Sequence, residues 1–279
     1  MTRVDWRSWL PRMRRPASAA GSSAYLDSLL DEVHQFLVSE YRERMLPRDQ
    51  FLALFRRLEQ SGMIRPVNRF IGDLWNLFAP DFRERLDEYY KFQELQLTMT
   101  FLAYAAQPQL LHDHYVVPYQ MMRERLPRAA VLEVGAGIPH GFLSQAYTSG
   151  TAWCEALTVV ELDALYSRFV RWHCEARGVA FRHVLAHAGR APAIPADRTY
   201  GFVFAKDVFE HLDDPARAIR EIVAVAAPTA ILALDLDEKG AVEYQHISPG
   251  LAALRGEVER AGFLAFASSG NMTMFERAS

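Results

Sequence analysis

The sequence predicts an α/β domain with a doubly wound parallel sheet, preceded by an all-helical region. From about residue 24 to residue 126 apolar residues recur at helical spacing, without glycine-rich turns. After Pro127 short apolar runs alternate with turn residues and helical stripes, which is typical of repeated β-α units. We therefore expect a flexible segment (residues 1–23), a helical cap region (24–126) and an α/β domain (127–279).

Each predicted element depends on its own run of apolar residues. The cap region should hold about five helices, and its stripes are Tyr25–Leu37, Phe51–Leu58, Val67–Leu77 and Phe82–Ala106. The parallel strands are predicted at Val131–Val134, Leu157–Val160, Phe202–Ala205 and Ala230–Leu234.

The first fifteen residues hold five arginines, interleaved with Trp6, Trp9 and Leu10. This spacing suits a basic amphipathic helix or a transit-like leader. The stretch that follows, Pro16–Ser23, has the composition of a flexible linker. We favour a loosely ordered tail over a membrane or targeting role.

The composition of the chain limits its class. Its 279 residues are 50% hydrophobic and 12% aromatic, which is enough to bury a full core. The net charge of -3 indicates no nucleic-acid partner, and no apolar run is long enough to predict a membrane span. Two cysteines without a CxxC motif fit a reducing compartment, so we expect a cytoplasmic protein.

A glycine-bearing turn follows the first predicted strand. Gly135 and Gly137 stand where the strand must turn sharply into a helix, and the absence of a Cβ lets the backbone approach a ligand closely. Pro139 suits the first helical turn, where its missing N–H costs nothing. The turn predicts a ligand at the end of this strand, although such a turn also occurs as plain topology.

The second predicted strand ends in acidic residues. Glu161 or Asp163 could accept hydrogen bonds from both hydroxyls of a ribose, and the strand end does not decide between them. Together with the glycine turn, they predict a nucleoside cofactor. A dinucleotide is disfavoured because His140 stands where the third glycine of G-x-G-x-x-G belongs, and Gly141 comes one residue late.

The stretch Glu133-Val-Gly-Ala-Gly137 resembles the first motif of class I S-adenosylmethionine (SAM)-dependent methyltransferases. Val160–Asp163 is similar to their second-strand motif, and Tyr200–Pro215 to their fourth-strand motif. Ala227-Pro228 and the turn Ala261-Gly262-Phe263 complete the order. The resemblance implies a Rossmann-like sheet behind an N-terminal all-helical cap, with SAM as the cofactor.

The resemblance also implies which residues bind SAM. Glu161 is favoured over Asp163 for the ribose hydroxyls. Ala186-His187-Ala188 replaces the usual Gly-Asp-Ala-like turn, so His187 or a backbone group is the candidate for adenine. Pro139 replaces the third glycine of the first motif, which changes the loop under the methionine tail. The predicted cofactor residues are Glu133, Gly135, Gly137, Glu161, Asp163, His187 and Lys206.

Three residues are candidates for catalysis. Methyl transfer is an in-line displacement that depends on alignment and desolvation, so it needs no catalytic triad. Asp207 follows the fourth strand and could orient an amine or hydroxyl, or simply begin a helix. Tyr90 and His114 belong to polar-aromatic clusters suited to line a substrate pocket. No metal is predicted, because His112 and His114 on an expected loop lack a third spaced ligand.

Several functions fit this pattern. We favour a methyltransferase for a small molecule, as in secondary metabolism, and a homodimer is compatible with it. A second possibility resembles azetidine-2-carboxylate synthases, in which the amine of SAM displaces methylthioadenosine and SAM itself cyclises. A third is a SAM-binding partner module without catalysis.

Overall fold

The computed structural model describes residues 18–41, 45–60, 107–236 and 251–278. Seven strands in these ranges form one sheet. They are β1 (Ala129–Val134), β2 (Cys154–Glu161), β3 (Phe181–Leu185), β4 (Tyr200–Ala205), β5 (Ala226–Asp235), β6 (Phe263–Ser269) and β7 (Met272–Arg277).

The strand order is β3-β2-β1-β4-β5-β7-β6. Strands β1 to β5 are parallel, and β7 runs antiparallel to both β5 and β6. The predicted doubly wound sheet is confirmed, and each predicted strand lies within an observed one. The observed strands are longer because their first residues, such as Cys154 and Ala226, also pair with a neighbour.

Helices connect the strands and cover both faces of the sheet. The described helices are α1 (Ser18–Tyr41), α2 (Arg48–Gln60), α3 (Pro108–Leu111), α4 (Val117–Arg125), α5 (His140–Ser149), α6 (Leu165–Ala176), α7 (Pro215–Val225) and α8 (Ala252–Arg260). Among these, α1 begins inside the segment that the sequence suggested was a linker. The stripes Val67–Leu77 and Phe82–Ala106 lie outside the described residues.

Helices α3 and α4 are joined by a π-helical turn, His112–Val116. The sequence suggested a loop here, and that expectation was wrong. The turn continues the helix with one widened ring, so it needs no break in the backbone hydrogen bonding. Such widened turns are frequent at functional sites, and this one brings Tyr115 into the core.

Alternation along the strands separates two hydrophobic cores. Phe202 and Phe204 of β4 face the core that α1, α2 and α4 to α6 share, whereas Val203 faces the core beneath α7 and α8. By the same alternation, Glu133 and Glu161 point to the face covered by the helical region. The polar residues of that face are therefore buried under the helices.

Helix α1 is attached to the α/β domain by a buried polar network. The Glu32 carboxylate accepts hydrogen bonds from the Tyr147 hydroxyl at 2.6 Å and from Arg177. It also lies 2.7 Å from Nδ1 of His173, whose ring is fully buried. These contacts fix α1 over α5, the helix that follows the glycine turn, and over α6.

Within the described ranges, no helix combines the length and apolar character that crossing a membrane requires.

Candidate functional site

The sheet changes winding direction between β1 and β4. The chain leaves β1 toward β2 and β3 on one side, then returns to β4 on the other. In doubly wound sheets ligands bind at the carboxyl ends of the strands beside this switch point. Residues that follow β1, β2, β4 and β5 therefore define the candidate site.

The glycine loop, residues 135–138, connects β1 to this edge. Gly135 has φ of 61° and Gly137 has φ of 52°, a backbone region that residues with a side chain rarely adopt. A Cβ on Gly135 would come within 2.5 Å of Val208, so that position is closed by the protein itself. The need for glycine at Gly135 thus comes from its backbone conformation and from packing against Val208.

Glu161 ends β2 directly beside the glycine loop. Its carboxylate accepts hydrogen bonds from the backbone N–H groups of Gly137 and Leu162, each at 2.8 Å. The side chain is buried. Burial raises the pKa of Glu161, and the hydrogen bonds from Gly137, Leu162 and Tyr166 act in the opposite direction. The sequence predicted that Glu161 and the glycine turn act together, and in the structure the hydrogen bond from Gly137 connects them.

Asp163 and His187 lie farther out on the same edge. Asp163 is exposed, two residues beyond the end of β2. His187 follows β3 and is also exposed, and its carbonyl accepts a hydrogen bond from the backbone of Arg190 at 3.1 Å. Neither side chain is enclosed as Glu161 is.

Glu133, one of the residues predicted to bind the cofactor, is buried at the end of β1. The Tyr119 hydroxyl of α4 donates a hydrogen bond to its carboxyl group. Burial raises the pKa of Glu133 to about 8, and the bond from Tyr119 lowers it only in part. The described part of the chain shows no ion pair to this carboxyl group.

Gly141, the displaced glycine of the sequence motif, is explained by α4. A Cβ there would lie 2.3 Å from Cδ2 of the Tyr119 ring and 3.0 Å from the Tyr115 carbonyl. Close approach of two helices therefore requires glycine at this position. No sequence motif marks Tyr119, because its partners Glu133 and Gly141 lie 14 and 22 residues farther along the chain.

Three charged residues meet where β4 and β5 end. The Lys206 ammonium donates a hydrogen bond to Asp207 and lies 4.0 Å from Oδ2 of Asp235. Asp235 is fully buried, and Lys206 is nearly so. Asp207 has a positive φ of 51°. Among the described residues other than glycine, no other has a positive φ. Lys206 thus compensates two carboxylates instead of standing as an open cationic site.

Aromatic contacts connect this charged cluster to the glycine loop. The Lys206 ammonium lies 5.5 Å from the centre of the Tyr115 ring, which stacks on Phe204. The Tyr115 ring also makes a T-shaped contact with the ring of His140, the first residue of α5, and the two ring centres are 5.4 Å apart. Nδ1 of His140 lies 2.8 Å from the hydroxyl of Tyr25 in α1. Side chains of the helical region therefore line the edge from β1 to β4.

The two catalytic candidates of the cap region have different outcomes. His114 lies on the π-helical turn and packs against Gly270, where an added Cβ would come 2.3 Å from its ring. Gly270 begins the turn before Met272, which pairs with Asp235, so His114 is near the carboxyl end of β5. Tyr90 lies outside the described residues.

The side chains at this edge suit a cation with a ribose. Glu161 is ionisable and already oriented by two backbone N–H groups, and carboxylate oxygens have further lone pairs for hydroxyl donors. Among the named side chains at this edge, the carboxyl groups of Glu161, Asp163, Asp207 and Asp235 outnumber the single ammonium group of Lys206. SAM carries a sulfonium and an ammonium group besides its ribose, so these acidic side chains fit SAM as a ligand.

Among the residues that the structure describes, no three histidine, cysteine or acidic side chains form a group that could hold a metal ion. His112 contacts Asp113 at 2.8 Å instead.

Residues 132–234 match a family model described as a methyltransferase domain. The matched segment runs from β1 to β5, so it includes the glycine loop, Glu161 and the Lys206 cluster. Together with the strand order, the match shows a methyltransferase-like α/β domain within residues 132–234 of this chain.

Solved structures with a similar fold have low sequence identity to this chain. A SAM-dependent methyltransferase from Aquifex aeolicus is 19% identical over 60% of this chain and 93% of that chain, with a TM-score of 0.41. The cyclase SpnF is 20% identical over 53% of this chain and 57% of that chain, with a TM-score of 0.40. A methyltransferase from Pyrococcus furiosus is 16% identical over 58% of this chain and 83% of that chain, with a TM-score of 0.39. No curated protein matches the sequence.

Proposed function

We propose that this chain is a SAM-dependent methyltransferase whose acceptor is a small molecule with an amine or hydroxyl group. The observation that carries the proposal is the hydrogen bond from Gly137 N–H to the Glu161 carboxylate. It joins the glycine loop and the acid at the end of β2, the two parts that a ribose would contact together. In this proposal Gly135, Gly137 and Glu161 hold the cofactor.

Outside this pair, we assign weaker or indirect roles. Glu133 is proposed to act on the cofactor from beneath the glycine loop. Asp163 and His187 are proposed to lie near the adenosine end of the cofactor. Lys206 contributes by holding Asp207, because its ammonium is already shared between two carboxylates. Tyr90 and His114, of the helical cap region (residues 24–126), are proposed to line the acceptor pocket of the SAM-binding domain (residues 127–279).

Asp207 is the proposed contact for the acceptor. It follows β4 at the switch point, and its side chain remains partly exposed while Lys206 fixes one of its oxygens. A carboxylate in this position can accept a hydrogen bond from an attacking amine or hydroxyl and orient its lone pair. The aromatic rings of Tyr115 and Phe204 exclude water nearby, which favours a step in which charge disappears.

When bound, SAM supplies an electrophilic methyl group on its sulfonium. The protein's own contribution is alignment of the acceptor with that methyl group and exclusion of water. Neither contribution requires a strong base unless the acceptor must lose a proton.

The proposal is tested by incubating the full chain with SAM alone, and then with panels of small amines and hydroxyl compounds. We expect S-adenosylhomocysteine only when an acceptor is present, measured by mass spectrometry. Methylthioadenosine from SAM alone would instead indicate cyclisation or lysis of SAM. SAM binding without either product would indicate a non-catalytic module.

A pair of variants assigns the activity to the site. Glu161→Ala should abolish S-adenosylhomocysteine formation at low SAM concentration. Glu155→Ala is the matched control, because Glu155 lies exposed near the other end of the same strand. Equal loss in both variants would contradict the proposed site.

A further inference from the structure

The buried carboxyl group of Glu133 lies between apolar side chains of the neighbouring strands. Glu133 lies in β1 two residues before Gly135, and it is 1% exposed. Its neighbours across the sheet are Val159 of β2 and Phe204 of β4. Neither neighbour can donate a hydrogen bond to the carboxyl group from its side chain.

Titratable groups close enough to Glu133 for their pKa to respond to it come from three packed elements. They are Tyr119 of α4, Tyr25 of α1 and Cys154 of β2. Burial, and then the proximity of Glu133, raises the pKa of each of them, so all three are neutral near pH 7. Within the described ranges, no lysine, arginine or histidine forms an ion pair with Glu133.

An ionised carboxyl group is unfavourable in such surroundings. Burial of a charge without a counter-charge is costly, and a single neutral hydroxyl donor compensates only part of the cost. In agreement with this geometry, burial raises the pKa of Glu133 to about 8 despite the hydrogen bond from Tyr119. In the free protein the group is therefore mainly protonated at neutral pH.

Arrival of a cation at the glycine loop reverses this balance. The inference rests on the proposed function, in which SAM brings a sulfonium and an ammonium to residues 135–138. A positive charge a few ångströms from a buried carboxyl group favours its ionised form. We propose that cofactor binding expels the proton of the Glu133 carboxyl group into solvent, so that binding of SAM is coupled to release of one proton.

The coupling has a definite sign. Below the pKa of about 8, the proton on Glu133 opposes binding, so the affinity for SAM should rise as the pH rises. We expect the Kd for SAM to fall by up to about tenfold per pH unit between pH 6.5 and pH 8, and to level off above that. Titration calorimetry at pH 7 in two buffers of different ionisation enthalpy should detect the released proton.

Two variants isolate Glu133 from other groups that titrate in this range. Glu133→Gln mimics the protonated carboxyl group, so its SAM affinity should lose the pH dependence and its binding should release no proton. Tyr119→Phe removes a hydrogen bond that lowers the pKa of Glu133, so the pH dependence should move to higher pH. Glu155→Gln, a surface control, should behave as the unmodified chain does.

The outcomes separate the two proposals. If SAM fails to bind at any pH, the proposed function is wrong. If SAM binds with the same pH profile and proton release in the unmodified chain and in Glu133→Gln, the proton coupling is wrong. Should Glu133→Gln fail to fold, an unmoved pH profile in Tyr119→Phe would overturn the coupling.

Discussion

The hydroxyl of Tyr119 donates a hydrogen bond to the carboxyl group of Glu133, and both side chains are buried. Tyr119 belongs to the last helix of the helical region, and Glu133 belongs to β1, beside the switch point of the sheet. The ring of the same tyrosine lies against Gly141 in α5. The helical region is therefore part of the framework that supports the glycine loop.

The contact between Tyr119 and Gly141 predicts a steric penalty. Gly141→Ala places a methyl group within 2.5 Å of two atoms of the Tyr119 ring, so it should lower the free energy of unfolding by about 1–3 kcal/mol. Gly256→Ala is the matched control within α8, where the nearest atom is the flexible Arg260 side chain at 3.4 Å. Urea unfolding should show the control at least as stable as the parent, and equal stability of both variants would contradict the packing.

The network around Glu32 predicts an acid-sensitive attachment of α1. Burial alone would raise the pKa of Glu32, but hydrogen bonds from His173, Arg177 and Tyr147 outweigh it and lower the pKa to about 2. Because the folded-state pKa is depressed, the stabilisation is complete above the ordinary value of 4.5 and is lost as the pH falls toward 2.

Comparison of Glu32→Gln with the unmodified chain measures this effect. Allowing for solvent screening, we expect a difference of about 2 kcal/mol in unfolding free energy at pH 7, shrinking as the pH falls from 4.5 toward 2. Glu40→Gln on the same helix is the control, because Glu40 is exposed and its ion pair with Arg168 is 4.0 Å long. A difference that stays constant with pH would contradict the lowered pKa.

The Lys206 cluster predicts a large cost for removing one charge. Lys206→Met removes the ammonium group beside Asp207 and the fully buried Asp235, and should destabilise the fold by about 3–5 kcal/mol. Adding Asp235→Asn should recover part of the loss. Arg56→Met, which breaks an exposed ion pair to Asp27, should cost no more than about 1 kcal/mol in the same urea titration. A similarly small cost for Lys206→Met would show that Lys206 does not compensate the charges of the two carboxylates.

Much of the fold was predictable because its signals are local. The apolar run at Phe202–Ala205 is continuous, and the run at Val131–Val134 is interrupted only by Glu133, as expected for strands buried on both faces; both lie in parallel strands. The π-helical turn was not predictable, because His112–Val116 is polar and aromatic without a distinct helical stripe. Its conformation depends on packing of Tyr115 against Phe204 and His140, which are distant in sequence.

The candidate site was predictable only where sequence motifs mark both partners of a contact. The pairing of Gly137 with Glu161 follows from two strand ends, and the structure joins them. The partners of Glu133 and Lys206 were hidden, because Tyr119, Tyr115 and Asp235 carry no motif and meet only when the sheet and helices assemble.

The central claim is that Glu161 and the glycine loop hold SAM, and calorimetric titration of SAM tests it most directly. Loss of a charge-assisted contact predicts that Glu161→Gln weakens SAM binding by about 10- to 100-fold, or about 1.5–3 kcal/mol. Glu155→Gln, at the exposed start of the same strand, should bind SAM as the unmodified chain does. Unchanged SAM affinity in a folded Glu161→Gln variant would contradict the account.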